Sequence, residues 1–172
     1  MSATPPEAKP EYSRAPPQSP VPAPISLGLL AGGLIGALLL LVAEFTPLYN
    51  EDSSSSRIPL HTVHGGSHHA YALIPVALLA IVLVFASFRS GGRPALLALG
   101  ALGILAVLIA VIGDLPDAGA SGFVRTAAGA FVKAKDVPQI GLYLETLGAA
   151  LLVVTSGAGL LLTSASKPRA RA

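Results

Sequence analysis

Four histidines fall within nine residues, at His61, His64, His68 and His69, and the chain has no others. Imidazole is a good ligand for Zn, Cu or Ni, and three or four ring nitrogens held together satisfy most of a coordination shell. The spacing matches no strong metal signature, and Gly65-Gly66 in its middle interrupts any common helical face. A loop merely rich in histidine is therefore the first expectation. A divalent metal site, for Zn as an example, is the second, and a pH-responsive element the third, because histidine titrates near neutrality.

Three carboxylates form a second pattern. Glu44 closes one long apolar run, Asp114 closes another, and Glu145 lies inside a third. His68 and His69 open a further apolar run, so every run brings an ionisable side chain to a similar depth. Such groups are costly in lipid unless they face the bundle interior, a partner or water. A structural polar cap that locks loops onto helix ends is the first reading of this outer polar cluster, and an ion or ligand site the second.

The elements that must position these residues are membrane spans. Of 172 residues, 52% are hydrophobic and 12% charged, against about 25% charged in an average soluble domain. A bilayer explains the missing charge. Four runs are long enough to cross a hydrocarbon core of about 30 Å: 25–45, 69–88, 94–112 and 137–163. They predict one all-α membrane domain, a four-helix bundle over 25–163. Residues 1–24 hold eight prolines and read as a disordered cytoplasmic tail, and 164–172 as a short basic one.

The first run is too long for a signal h-region, and no clear small-x-small cleavage site follows it, so it is expected to stay as an anchor. Pro75 is expected to kink the second span near its outer end. Asp136, with Gln139 three residues on and Pro138 between, reads as the N-cap of the fourth span. Between the third and fourth spans, Phe123, Val124, Ala127, Ala128, Phe131 and Val132 share one side of a helical projection, with Arg125 and Lys133 on the other. That spacing predicts a short amphipathic helix at the membrane surface.

Basic residues set the orientation. Placing both termini inside puts seven there (Lys9, Arg14, Arg89, Arg93, Lys167, Arg169, Arg171) and four outside (Arg57, Arg125, Lys133, Lys135), which favours N-in, C-in. Heavy use of Ala, Gly, Leu and Pro gives the chain a bacterial look, with the plasma (inner) membrane as its location. Gly28, Gly32 and Gly36 stack on one face of the first span, a ladder suited to close helix packing within the bundle or, second, to self-association. Thr155, Gly159 and Thr163 form a weaker ladder on the fourth.

The absence of cysteine excludes disulfides and thiolate chemistry. Scattered basic residues without interleaved aromatics argue against a nucleic-acid partner. No nucleophile with a base, phosphate-binding glycine loop, redox cofactor motif or mid-membrane charge is evident, so no enzyme and no cofactor are expected. Four spans with two outer loops resemble the layout of claudin-like proteins, whose tryptophan and disulfide-forming cysteines are missing here. Small multidrug transporters carry a carboxylate within the first helix, whereas Glu44 lies at its end. Neither resemblance transfers a function. The expectation is a structural or accessory protein that binds or assembles lipid bilayer components, other membrane proteins or itself. The competing expectation is a metal-binding or ion-coupled transport protein.

Overall fold

The computed structural model describes residues 23–53, 59–89, 92–126 and 129–165. The proline-rich tail and the basic tail lie almost wholly outside the described residues, as do most of the serine run and Arg57. Helix α1 (Ala23–Ala43) leads into strands β1 (Pro47–Ser53) and β2 (Pro59–His64), then into the single helical turn α2 (Gly65–His68). Helices α3 (Leu73–Ser87) and α4 (Arg93–Leu108) follow, and α4 continues as a π-helical turn, Ile109–Asp114. Strands β3 (Ser121–Arg125) and β4 (Phe131–Pro138) precede the last helix, α5 (Ile140–Ala165).

Three helices are long and apolar enough to cross a membrane: Pro24–Ala43, Arg93–Asp114 and Ile140–Ser164. Helix α3 is apolar but has only 15 residues, about 22 Å at 1.5 Å per residue. The expected second span, 69–88, is shortened because Ala70 (φ 50°) and Tyr71 (φ 62°) adopt left-handed backbone and break the helix before Leu73. Pro75 thus lies in the first turn of α3, where its missing N–H has no intrahelical acceptor to lose, and no kink is required of it.

The four helices pack in the cycle α1, α3, α4, α5 and back to α1. Their seam is built from small and branched residues, among them Ala37, Leu40, Ala77, Ala80, Leu99, Ala106, Ala149 and Leu152. Helices α1 and α5 approach backbone to backbone. A Cβ added at Gly36 would lie 2.9 Å from the carbonyl oxygen of Gly148, and one at Gly148 would lie 2.8 Å from that of Gly36. Gly32 meets Thr155 of α5, whereas Gly28 has nothing within 4 Å. The ladder is therefore spent inside the bundle at two of its three positions.

The all-α expectation is corrected by a four-stranded antiparallel sheet in the order β2-β1-β4-β3. Strands β3 and β4 pair where a surface helix was expected; Ala127 and Ala128 of that expectation lie outside the described residues. The β3–β4 turn carries Gly129 at φ +82°, with Gly129 N–H donating to Thr126 O and Thr126 N–H to Ala130 O. Spacings of three and four residues also suit two short strands joined by such a turn, and pairing with β1 decides between them. The same pairing overturns the cap at Asp136. Residues 134–138 lie against 49–53, α5 begins at Ile140 instead of Val137, and Gln139 N–H donates to Leu48 O at 2.9 Å.

Candidate metal centre

The carboxylates of α4 and α5 sit on inward seam positions. On α5 the buried residues Leu142, Glu145, Ala149, Leu152 and Ser156 follow the 3-4-3-4 spacing of a continuous packed stripe. On α4 the stripe runs Leu96, Leu99, Gly103, Ala106, Ala110. Continued at the same spacing it would next reach Gly113, which is exposed with nothing within 4 Å. The π turn, closed by Leu115 N–H donating to Ala110 O at 2.9 Å, adds one residue and turns Asp114 inward instead. Wide turns of this kind recur at functional sites.

His68 and His69 reach the same point from the end of α2. Gly65 and Gly66 lie so close to the Ala43–Glu44 backbone that a Cβ on Gly65 would come within 2.8 Å of Ala43 O. Gly66 N–H donates to Glu44 O. The two left-handed residues that follow cost of order 1 kcal/mol each, and this strain falls directly after the histidine pair.

His68 Nε2 lies 3.3 Å from Asp114 Oδ1, His69 Nε2 lies 3.4 Å from the same oxygen, and His69 Nε2 lies 3.5 Å from Glu145 Oε2. Asp117 Oδ2 is further out, 3.9 Å from His68 Nε2. Asp114 and Glu145 are fully buried and the His69 side chain is 9% exposed, while His68 is 25% exposed and Asp117 half exposed. These are ion-pair separations without hydrogen-bond directions. His69 Nε2, both oxygens of Asp114 and both of Glu145 are buried with no hydrogen-bond partner.

Buried, unsatisfied polar atoms are costly, and convergence of five in one place calls for a common partner. Ligands held 2.0–2.1 Å from a tetrahedral Zn2+ stand about 3.3–3.4 Å apart, close to the separations found here. Ligand atoms of His68, His69 and Asp114 all lie within 4.8 Å of one another; Glu145 stands outside that set, beside it, with Oε2 3.5 Å from His69 Nε2. Charge leads to the same chemistry. Two buried carboxyl groups are neutralised by taking up protons, by protonated imidazoles or by one divalent cation. The Asp114 carboxylate and then that of Glu145 push the His69 pKa up to about 10, against burial, which lowers it. A metal ion entering the site would displace that proton.

The sheet supplies a supporting contact. Tyr49 of β1, itself buried beside Leu48 and Leu142, places its hydroxyl 3.3 Å from His68 Nδ1, with the ring edge-on to the imidazole. A metal-ligating histidine is oriented through its other ring nitrogen in this way. Tyr49 was invisible as a site residue in the sequence, since only strand pairing brings it within reach of His68.

His61 and His64 do not join the centre. They lie on β2, exposed, with His61 paired across from Glu51 and His64 from Pro47. Glu44 acts elsewhere. Its Oε1 accepts the N–H of Leu73 at 2.6 Å, capping the start of α3 from the end of α1. The expected cluster thus divides into a capping carboxylate and a centre of His68, His69, Asp114 and Glu145. Searches against protein-family models, curated proteins and solved structures return no match.

Proposed function

We propose that this chain is a small membrane protein that binds one divalent transition-metal ion, Zn2+ by ligand chemistry, through His68, His69, Asp114 and Glu145. The observation that carries the reading is the convergence of five buried nitrogen and oxygen atoms that have no hydrogen-bond partner. The proposed setting is a four-span bundle with both termini cytoplasmic and the sheet outside, in a bacterial plasma membrane. The basic-residue asymmetry supports that orientation.

Binding is the reading taken over catalysis: with Glu145 drawn in as fourth ligand beside His68, His69 and Asp114, no open position would remain for a substrate, as in structural zinc sites. It is favoured over transport because the seam beneath the site carries no ionisable residue among the described residues: Leu40, Ala106, Ala80, Leu99 and Leu152 are apolar, and of the buried hydroxyl residues Thr155 and Ser156 the latter donates to Leu96 O. Asp117 and the partly exposed His68 lie on the solvent side of the group. The metal would clamp the α2–α3 turn to α4 and α5, giving the accessory role a physical basis: a bundle that holds its sheet in a fixed pose when loaded.

The test is calorimetric titration of Zn2+ into the chelator-stripped full chain in detergent. One equivalent should bind in the wild type and in the double variant His61→Ala/His64→Ala, and none in His69→Ala/Glu145→Gln. Affinity no tighter than millimolar, or binding that follows His61 and His64 instead, would refute the proposal.

A further inference from the structure

At the end of the bundle away from the sheet lies a cavity of about 320 Å3, within the range of small-molecule sites. All four helices line it, with Leu29 of α1, Val84 and Phe88 of α3, Leu99 of α4 and Leu162 of α5 supplying apolar surface. Four hydroxyl residues also line it, Ser26, Ser87, Thr155 and Thr163, of which Ser87 and Thr163 donate to Val84 O and Leu160 O of their own helices. The remaining lining is apolar, a surface that suits an alkyl chain.

The rim is cationic. Arg93, exposed at the start of α4, reaches across to α5 and donates to Ser164 Oγ at 3.3 Å, next to the lining residues Leu162 and Thr163. Arg89 directly follows the lining residue Phe88 and is exposed. Every described carboxylate (Glu44, Glu51, Asp52, Asp114, Asp117, Asp136, Glu145) belongs to the sheet or to a helix end that meets it. The cavity mouth therefore has positive charge and no described negative charge to balance it.

We propose that this cavity is a binding site for an anionic amphiphile, with one alkyl chain between the helices and the negatively charged head on Arg93. An anionic phospholipid and a free fatty acid share that chemistry. The proposal is independent of the metal centre, which lies at the other end of the seam.

Native mass spectrometry of the full chain, released from detergent carrying equal amounts of phosphatidylglycerol and phosphatidylcholine or, separately, palmitate, tests it. The wild type should retain one phosphatidylglycerol or one palmitate, at least about tenfold in preference to phosphatidylcholine, as expected for a charge-assisted contact. Arg93→Gln, a change at an exposed side chain, should bring that preference close to parity. Ser87→Phe, which fills the cavity, should remove retention of any chain. Retention of palmitate alone would assign the site to free fatty acids, and retention of phosphatidylglycerol alone to membrane lipid. Equal retention of all lipids by the wild type, an undiminished preference in Arg93→Gln, or undiminished retention in Ser87→Phe would overturn the proposal.

Discussion

Replacing Gly36 by alanine should destabilise the bundle, whereas the same change at Gly28, two turns earlier on the same helix, should stabilise it. A Cβ on Gly36 would sit 2.9 Å from Gly148 O, 3.1 Å from Leu151 Cβ and 3.2 Å from Leu152 Cδ2. Ordinary contact begins near 3.4 Å, so α1 and α5 must part by roughly 0.5 Å, and backbone has no rotamer with which to yield. Overpacking of this kind costs about 1–3 kcal/mol. Alanine's better helix propensity returns up to about 1 kcal/mol, leaving a net loss of up to about 2 kcal/mol. At Gly28 only the propensity gain operates, because nothing lies within 4 Å. Thermal unfolding of both variants in one detergent, followed by circular dichroism, should show shifts of opposite sign, by roughly 2–4 °C per kcal/mol for a chain of this size. Since Glu145 lies one turn before Gly148, Gly36→Ala should also weaken Zn2+ binding and Gly28→Ala should not. A Gly36→Ala as stabilising as Gly28→Ala, or an equal loss of stability in both variants, would refute the close approach of α1 and α5 at Gly36.

Zn2+ at about a hundred times its dissociation constant should stabilise the wild type by about 2.7 kcal/mol and leave His69→Ala unmoved; equal unfolding temperatures with Zn2+ and with chelator would count against the centre. Tyr49→Phe should bind Zn2+ about tenfold more weakly, the lower end for loss of a ligand-orienting group, with stoichiometry unchanged in the titration; unaltered affinity would separate the sheet from the site. Glu51 and Asp136 stand directly opposite on paired strands, so Asp136→Asn should raise stability at neutral pH by up to about 1 kcal/mol. Burial first, then the charges of Glu51 and Asp117, hold the Asp136 carboxyl above its ordinary 3.8, so the folded chain binds that proton more tightly than the unfolded one. Wild-type stability then falls as pH rises from about 3.8 through the folded value, and the advantage of the variant should vanish in acid; an advantage independent of pH would contradict this.

Apolar runs announced the helices because membrane-length stretches have few other uses, and three of them hold as helices of spanning length. Glu145 and Asp114 were legible as odd charges at helix ends, and the seam spacing Leu142, Glu145, Ala149, Leu152 could have shown that Glu145 faces inward. The inward turn of Asp114 was hidden, since a π turn leaves no mark in a run as plain as Ile109–Gly113. The sheet escaped for a different reason. Its central pair joins β1 to β4 across most of the chain, and local spacing in Phe123–Val132 fits helix and hairpin alike until the partner strand is known. Neighbourhood in sequence misled with the histidines, where Gly65-Gly66 ends β2 and sends His68 and His69 into the centre while His61 and His64 stay on the strand.

The β1–β4 pairing also sets an order of events during synthesis. Ser53 emerges 78 residues before Phe131, an interval of roughly 4–16 s at about 5–20 residues per second. Throughout it, the β1–β2 hairpin has an open edge, Asp114 arrives at the membrane without Glu145, and the histidine pair waits for both. Strand β4 closes the sheet, and α5, directly after it, closes the seam and the centre. A nascent chain halted after α4 would thus display an unpaired strand edge and an uncompensated carboxylate, which are signals by which a quality-control protease could distinguish unfinished from finished protein.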